Sequence, residues 1–408
     1  MPYDLIWFLL PVAAASGWWM AARQQRKSQA RQSRAVPSDY YTGINYFLNE
    51  QPDKAIDVFI RMLELDSDTV EPHLALGNLF RRRGEVDRAI RIHQNLIARP
   101  NLDKSQRDQA LLELGHDYLQ AGLLDRAESL LEELVERDRA NLPALRLLMR
   151  IYEQEKEWPN AIESARKIET VDSQSLRPVM AQYYCELAAD HLKAGVYSEA
   201  RKMLRRSLAQ HPGCARALIL HAQMDDRSQR YRAVVKSCRR VLQQSPEYLA
   251  DVIGMLITAY RHLGRQRELE TLIEANIADQ PAIHPILLYA DYLVETKGAR
   301  AAVDYLDTYL HRQPSLHGLR RFLLLQMSDQ DGVAAHDSGT DYRQSCLDIL
   351  GRLLENSPLY LCKNCGFSSQ QRHWQCPGCH HWESIEAVKG YVPGRENHLM
   401  AGLFEHGI

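Results

Sequence analysis

Two stretches carry the clearest repeat pattern of this chain: residues 76–80 read Leu-Gly-Asn-Leu-Phe, and residues 113–118 read Glu-Leu-Gly-His-Asp-Tyr. Each sets a glycine inside an apolar run with helical spacing, and a small or apolar residue recurs at that place every 33 to 39 residues. We call these the anchor positions, and they are Gly43, Gly77, Gly115, Met149, Ala188, Ala222, Ile257 and Ala290. Self-similarity at such a period predicts an array of repeated helical units.

Two further sets of residues keep the same period. Twelve residues after the anchor stands alanine in six of eight units: Ala55, Ala89, Ala127, Ala161, Ala200, Val234, Leu269 and Ala302. Sixteen residues after it stands a mainly apolar set: Phe59, His93, Leu131, Ala165, Leu204, Cys238, Ile273 and Leu306. Glycines fall between the paired helices, as C-terminal caps should, at Gly84, Gly122, Gly195 and Gly264. Prolines close four second helices, at Pro212, Pro246, Pro281 and Pro314.

Two antiparallel helices per unit, touching through small residues, are typical of the tetratricopeptide repeat. The predicted fold is therefore an all-α, tetratricopeptide-repeat superhelical solenoid, with about eight to nine units over residues 37–356. A ninth unit begins at His317 and is interrupted by a polar loop at 328–342, before a last helix at about 342–356. Since almost no linker follows, we expect the C-terminal segment to pack on the final helices.

Four cysteines near the C-terminus form two Cys-x2-Cys pairs, Cys362 with Cys365 and Cys376 with Cys379. Two tight turns with this spacing can present four thiolates to one tetrahedral metal ion. The surrounding domain, residues 357–390, is too short to bury a core, so a metal would supply much of its folding free energy. Two disulfides, or a dithiol redox pair, are the alternatives.

The N-terminal segment differs from the rest, because residues 3–22 read YDLIWFLLPVAAASGWWMAA with a single charge, Asp4. A helix of this length spans about 30 Å, the thickness of a bilayer core, so residues 1–22 are predicted to form a transmembrane helix. A basic juxtamembrane connector, residues 23–36, follows with no acidic residue before Asp39. The positive-inside rule then places the rest of the chain in the cytoplasm. A buried core helix and an uncleaved signal peptide are the alternatives.

Composition excludes several classes of function. The formal net charge of −2 provides no broad basic field for nucleic acid. The sequence contains no phosphate-binding loop, dinucleotide-binding glycine motif, zinc-protease motif or serine nucleophile elbow. A repeat array offers a long concave surface without a preformed catalytic pocket, so we expect a protein that is not an enzyme. The remaining cysteines, expected to be buried and reduced, are Cys185, Cys214, Cys238 and Cys346.

The sixteen histidines are mostly at helical positions, such as His93 and His221, where a packed or solvated role is expected. Three others, His373, His380 and His381, lie beside the cysteine pairs and could replace a thiolate ligand. Because four thiolates already complete a tetrahedral site, no histidine ligand is predicted.

Three consecutive arginines, Arg81, Arg82 and Arg83, end the first helix of the second unit. Cations are favoured at a helix C-terminus, which is the preferred explanation, and contact with an acidic peptide is the alternative. Some tetratricopeptide proteins bind chaperone tails through a lysine three residues before the anchor. The residues at that place here are Tyr40, Leu74, Leu112, Arg146, Cys185, Ile219, Gly254 and Leu287. A lysine clamp of that kind is therefore not expected.

A predicted span, a repeat array and paired C-terminal cysteines together resemble one bacterial family, lipopolysaccharide assembly protein B, over essentially the whole chain. The most specific stretches are Cys-Lys-Asn-Cys-Gly-Phe at 362–367 and Trp-Gln-Cys-Pro-Gly-Cys-His-His-Trp at 374–382. The resemblance implies that the four paired cysteines are metal ligands in a rubredoxin-like domain. The expected cofactor is one iron or zinc ion, with iron slightly favoured by the similarity to rubredoxin.

The resemblance also implies a single-pass inner-membrane protein of Gram-negative bacteria, with most of the chain on the cytoplasmic side. Its expected role is to restrain lipopolysaccharide synthesis by helping the membrane protease FtsH degrade the deacetylase that commits sugar nucleotide to lipid A. The span would receive a signal from a membrane partner that senses lipopolysaccharide. No motif of the concave surface transfers, so no partner-contact residue is assigned.

Two classes of function compete. One is a membrane-tethered adaptor without catalytic activity, for which anchoring raises the local concentration of its partners to about the mM range. The alternatives are a metal or thiol redox carrier and a generic tetratricopeptide scaffold for envelope-biogenesis proteins. Four ligands around one metal leave no open position for a substrate, which favours the adaptor. The tail, residues 391–408, receives no role, and the sequence is compatible with a homo-oligomer.

Overall fold

The computed structural model describes residues 38–49, 51–65, 69–277, 282–330, 339–355 and 357–388. The predicted span, the basic connector and the C-terminal tail lie outside these residues. Among the helices that are described, none is both long enough and apolar enough to cross a membrane.

The chain divides into two compact units, Met1–Asp172 and Ser173–Ile408. In the first unit, the described residues form four consecutive helix pairs, as the repeat pattern predicts. Their helices are α1 (Ser38–Leu48), α2 (Pro52–Leu65), α3 (Val70–Arg82), α4 (Val86–Ile97), α5 (Lys104–Gln120), α6 (Leu124–Arg137), α7 (Leu142–Glu155) and α8 (Trp158–Val171).

The second unit continues with five further pairs within its described residues. Its helices are α9 (Arg177–Lys193), α10 (Tyr197–Gln210), α11 (Ala215–Arg227), α12 (Tyr231–Gln244), α13 (Leu249–Leu263), α14 (Gln266–Ile277), α15 (Ile283–Lys297), α16 (Ala299–Arg312), α17 (Leu316–Gln330) and α18 (Gly339–Leu354). A short 3-10 turn, Pro246–Tyr248, precedes α13. The last helix begins three residues earlier than the sequence predicts.

The anchor glycines lie where the two helices of a pair come closest. A Cβ added at Gly43 would lie 2.7 Å from the Phe59 ring, and one added at Gly115 would lie 2.9 Å from Cδ2 of Leu131. The contacted residue is in each case the one sixteen positions after the anchor. All eight residues of that set are at most 1% exposed, and all eight of the set twelve positions after the anchor are 0% exposed. The repeat pattern is therefore the pattern of this helix contact.

Two anchors are large residues, Met149 and Ile257, and the packing differs there. Both are only half-buried, whereas the preceding residues, Leu148 and Leu256, are buried. The six small anchors are buried, whereas a side chain of this size cannot fill the narrow gap between the helices and lies at the edge of the contact.

A three-stranded sheet follows the array, in the order β2–β1–β3. Its strands are β1 (Tyr360–Cys362), β2 (Ser368–Ser369) and β3 (Ile385–Ala387), and both pairings are antiparallel. The cysteine spacing predicts the two turns, whereas strands this short leave no separate signal in the sequence. We call residues 357–388 the cysteine module.

Aromatic side chains hold the cysteine module against the second unit. The Trp374 ring stacks on Tyr248 at a centroid distance of 5.4 Å, and Trp382 meets Tyr183 edge-on at 5.9 Å. The guanidinium of Arg216, on α11, lies 5.5 Å from the Trp374 ring and 6.0 Å from the Trp382 ring. Because Arg216 is only 6% exposed, this cation–π contact is shielded from water and correspondingly stronger.

Polar contacts fix the orientation of the cysteine module. Arg372 reaches Asp251 with its Nε 3.1 Å from a carboxylate oxygen, and the Gln182 amide donates to Glu383 Oε1 at 2.8 Å. The array residues involved belong to α9, α11, the 3-10 turn and α13. The module thus packs on the first helices of three successive pairs, well before the end of the array, which corrects the expectation that it would pack on the final helices.

We expect Gly77→Ala to destabilise the first unit by about 1–3 kcal/mol, because the new Cβ would overpack the helix contact. It would lie 2.4 Å from Nε2 of His93, and that ring is fully buried with its Nδ1 2.5 Å from Asp117 Oδ2. Thermal unfolding of the full chain, followed by helical circular dichroism, should show a lower first transition.

Gly254→Ala is the matched control, since nothing lies within 4 Å of a Cβ at that exposed position of α13. Alanine there should be neutral or stabilising by up to about 1 kcal/mol. Equal effects of the two substitutions would contradict the close contact at Gly77.

We expect the contribution of Glu383 to the stability of the second unit to fall as the pH rises above the usual pKa of a glutamate. Burial raises the pKa of Glu383, so the folded protein retains a proton that the unfolded chain has already lost. Stability from this source is full below the unfolded-state pKa and is lost as pH rises through the folded-state pKa. Glu383→Gln keeps the oxygen that accepts from Gln182 and has no proton to lose. The unfolding midpoint of this variant should therefore rise relative to that of the wild type as pH increases through the folded-state pKa of Glu383.

The comparison between variant and wild type cancels the contribution of the cysteine thiols, which titrate in both proteins. Unfolding midpoints measured from pH 5 to pH 8 would show the gain growing and then levelling off. A difference that stays constant with pH would mean that Glu383 is ionised in the folded protein as readily as in the unfolded chain.

Candidate metal centre

The two cysteine pairs sit on turns with the same backbone pattern. The Cys362 amide donates to Phe367 O at 2.7 Å, and the Cys376 amide donates to His381 O at 3.0 Å. In each turn the residue after the second cysteine is left-handed: Gly366 has φ +72° and His380 has φ +58°. Glycine adopts this conformation without strain, whereas His380 adopts it at a conformational cost.

The turns bring the four sulfurs into one cluster. All four Sγ atoms lie within 4.8 Å of one another, with Cys362 3.7 Å from Cys379 and Cys365 3.6 Å from Cys376. A tetrahedral ion with metal–sulfur bonds of about 2.3 Å requires sulfurs about 3.8 Å apart. A disulfide would require about 2.05 Å. The spacing therefore fits four ligands around one metal ion and does not fit the disulfide alternative.

Hydrogen-bond donors favour the thiolate at two of the four cysteines, Cys379 and Cys362. Burial raises the pKa of Cys376, and the pKa of Cys365 is also raised. The Asn364 side chain and then the His381 amide lower the pKa of Cys379 to about 5. The backbone N–H groups of Cys365 and Asn364 also donate to the Cys362 sulfur, and the pKa of that thiol is lowered although burial opposes the shift. Donors of this kind stabilise sulfur ligands in their charged form, which is the form that binds a metal.

The cluster has one buried edge and one accessible edge. Cys362 and Cys376 are 1% and 0% exposed, whereas Cys365 is exposed and Cys379 is half-buried. The buried pair belongs to the same small core as Tyr360 and Ile385. The cluster thus takes the place of the hydrophobic core that this short segment cannot form.

The neighbouring histidines do not join the cluster. His373 Nε2 lies 3.1 Å from Ser369 Oγ, and His381 Nδ1 lies 3.1 Å from the Asn364 amide nitrogen. Within the described residues, the four paired cysteines are the group of ligand atoms that could hold a metal ion.

The other four cysteines are free. Cys185 and Cys214 are fully buried with their sulfurs 3.8 Å apart, a contact that their distance in sequence does not predict. Burial raises the pKa of Cys185 well above its usual range, which makes it an inert thiol. Cys238 is buried as expected, but Cys346 is exposed on α18, which corrects its prediction. Its helix is the last one in the described part of the chain, and within that part no later helix pair covers its outer face.

Sequence reasoning missed the side chains that connect the centre to the array. Trp374, Trp382 and Glu383 are within four residues of a paired cysteine, and Arg372 is four residues before Cys376. Two tryptophans beside a metal-binding turn were the available signal. Their partners on α9, α11 and α13 could not be identified, because the contact joins residues as much as 201 positions apart.

Comparisons with known families agree with both parts of the fold. The family model described as a rubredoxin metal binding domain matches residues 360–387. Tetratricopeptide repeat models match residues 73–107, 112–175 and 185–248. In solved structures the repeats are similar to MamA, which is 21% identical with a TM-score of 0.33 and covers 42% of this chain and 94% of that chain.

Two curated relatives match the chain from end to end. Lipopolysaccharide assembly protein B of Escherichia coli K12 is 34% identical over 387 residues, covering 95% of this chain and 98% of the relative. The protein of the same name from Haemophilus influenzae is 35% identical over 395 residues, covering 94% and 98%. With this identity over nearly the full length of both relatives, the chain belongs to the lipopolysaccharide assembly protein B family.

Proposed function

We propose that this protein is a membrane-tethered adaptor in lipopolysaccharide assembly, in which an array binds a protein client and a metal-bound module stabilises the array. The observation that carries the proposal is full-length similarity to relatives named for lipopolysaccharide assembly, in a chain built from helix pairs and a cysteine cluster. The proposed division is a span at 1–22, a connector at 23–36, the array at 37–356, the metal domain at 357–390 and a tail at 391–408.

The proposed metal ligands are Cys362, Cys365, Cys376 and Cys379, holding one iron or zinc ion. Their sulfur spacing supports this assignment, as does the match to a rubredoxin metal binding domain. A bound ion would offset the charge of four clustered thiolates and fix the two turns relative to each other. Because the tryptophans that pack on α9 and the 3-10 turn lie two or three residues from a ligand, the ion would also fix the docking surface.

The proposed partners follow from family membership and from the resemblance described above. The client is the deacetylase that commits sugar nucleotide to lipid A, and the protease is of the FtsH type. The span holds the adaptor in the inner membrane, with the array on the cytoplasmic side, and contacts a membrane partner that senses lipopolysaccharide. Binding is favoured over catalysis, because an array of helix pairs is suited to binding proteins and four ligands around one ion leave no open metal position for a substrate.

A redox carrier is the second candidate, and one observation favours it. Cys365 is exposed, so electrons could reach an iron at this edge of the cluster. The sequence supplies no flavin or nicotinamide motif to deliver them. A reversible iron couple in the purified protein, together with normal client turnover in a strain lacking the protein, would favour the carrier over the adaptor.

We expect the purified protein to contain about one iron or zinc per chain, and the double substitution Cys362→Ser, Cys376→Ser to remove it. Metal analysis measures the content, and hydrogen exchange should show faster exchange across 357–388 because the ion contributes to folding of the module. Iron would give a coloured protein with thiolate charge-transfer absorption, whereas zinc would leave it colourless. Cys346→Ser is the matched control, since that cysteine is exposed and outside the cluster.

We expect depletion of the protein to lengthen the half-life of the deacetylase and to raise lipopolysaccharide levels, because the client would no longer be presented to the protease. A chain lacking residues 1–22 should still fold and bind the client, yet fail to restore turnover, because tethering is lost. Pulse-chase immunoblotting measures the half-life. An unchanged half-life on depletion would contradict the adaptor function in this specific form.

A further inference from the structure

The structure separates the roles of the three consecutive arginines that end α3. Arg81 also lines the cavity described below, but it is paired with carboxylates of α5: its guanidinium donates to Asp117 at 2.8 Å and to Glu113 at 2.7 Å. Arg83 pairs with Asp53 at 2.5 Å and with Glu85 at 3.1 Å. The explanation preferred from sequence is placement of cations at a helix C-terminus. In addition, two of the three arginines have specific carboxylate partners.

Arg82 has a different environment. Its guanidinium lies 4.5 Å from the centre of the Phe47 ring, and no carboxylate pairs with it in the described part of the chain. The side chain is exposed, and it lines a cavity of about 420 Å³ formed by α1, α3 and α5. Stacking on Phe47 holds the cation at the cavity wall while its N–H donors remain available.

The cavity wall combines an apolar surface with amide donors. Tyr40, Ile44 and Phe47 supply apolar and aromatic area from α1, and Leu74 adds to it from α3. The volume lies within the range of pockets that bind drug-sized ligands or a few residues of a peptide.

Three amides contribute uncommitted N–H groups to the same wall. The Asn78 oxygen accepts from Arg81 at 2.7 Å, and the Gln106 oxygen accepts from the Asp103 amide at 3.3 Å, which leaves both NH₂ groups available. Gln109 is exposed beside them. Glu113 also lines the cavity, and its carboxylate pairs with Arg81 at 2.7 Å. The remaining donors of the wall are complementary to backbone carbonyls and to a carboxylate.

We propose that this cavity binds an extended internal segment of a client protein, with an acidic side chain at Arg82 and an adjacent apolar side chain on the surface of α1. The inference rests on the adaptor function proposed above and assigns a client surface to it. The amides of Asn78, Gln106 and Gln109 hold the carbonyls of the segment. Specificity for the acidic residue comes from the single uncommitted guanidinium.

Charge decides between the candidate occupants. Recognition of a chain-terminal carboxylate normally uses several converging cations, and here only one cation of the wall lacks a carboxylate partner among the described residues. The connector of this same chain, residues 23–36, contains arginine and lysine without any acidic residue, so it is not complementary to Arg82. Glu71 lies at the opposite end of α3, eleven residues and about 16 Å away, so it does not neutralise that arginine.

The test is selection of peptides from a random heptapeptide library, displayed on beads, by the full-length protein in detergent micelles. The expected result is enrichment of peptides that carry aspartate or glutamate next to an apolar residue. Arg82→Gln should abolish the acidic preference and weaken the selected peptide by about tenfold or more, because a charge-assisted hydrogen bond is lost. Replacing the acidic residue of that peptide by its amide should weaken binding to the wild type and leave binding to Arg82→Gln unchanged.

Arg83→Gln is the matched control, because that arginine is adjacent in sequence yet outside the cavity wall, and it should leave the selection unchanged. Gln109→Ala, also exposed, should weaken every selected peptide without changing the acidic preference. Selection of peptides without an acidic residue, or equal losses in Arg82→Gln and Arg83→Gln, would overturn the proposal. The adaptor function is tested separately by the half-life of the deacetylase. Peptide selection can therefore contradict the cavity proposal without contradicting the adaptor function, and an unchanged half-life would contradict the adaptor function alone.

Discussion

The close contact between the two helices of each pair is the constraint on which the array depends. The anchor residue of the first helix packs against the residue sixteen positions later on the second helix, and the residues at that later position are almost completely buried. Small anchors let the helices approach, and each pair then presents a surface that the next pair covers. A change at one anchor is therefore felt in the pair itself and in its stacking on the neighbouring pairs.

The second pair shows how a polar residue can occupy this contact. His93 stands where the other units have mainly apolar residues, and its ring packs directly on Gly77. Asp117 accepts from the ring at 2.5 Å and is itself paired with Arg81, so the buried charge is compensated. The network joins α3, α4 and α5. It also pairs Arg81 with carboxylates of α5, which distinguishes that residue from Arg82, its neighbour in the same cavity wall.

The cysteine module depends on two interactions of different kinds. A thiolate cluster replaces its core, and contacts with α9, α11 and α13 hold it on the array. The residues that contact the array lie within four positions of the clustered cysteines in sequence. The geometry of the cluster therefore also determines the geometry of the docking surface. Arg216 and Glu383 are costly to bury, and partners at the docking surface offset that cost: Arg216 lies against two tryptophans and pairs with Glu186 at 2.8 Å, and Glu383 accepts from Gln182 at 2.8 Å.

The sequence by itself determined the helix pairs, the turn glycines and the four clustered cysteines, because each depends on local spacing: a repeat period, a left-handed turn or a Cys-x2-Cys loop. Tertiary structure alone decided where the module docks, since Gln182 and Glu383 meet across 201 residues that no local pattern relates. It also decided which of three adjacent arginines is available to a ligand. Neighbouring helical residues point in different directions, so their partners depend on packing between helices and not on their order in the chain.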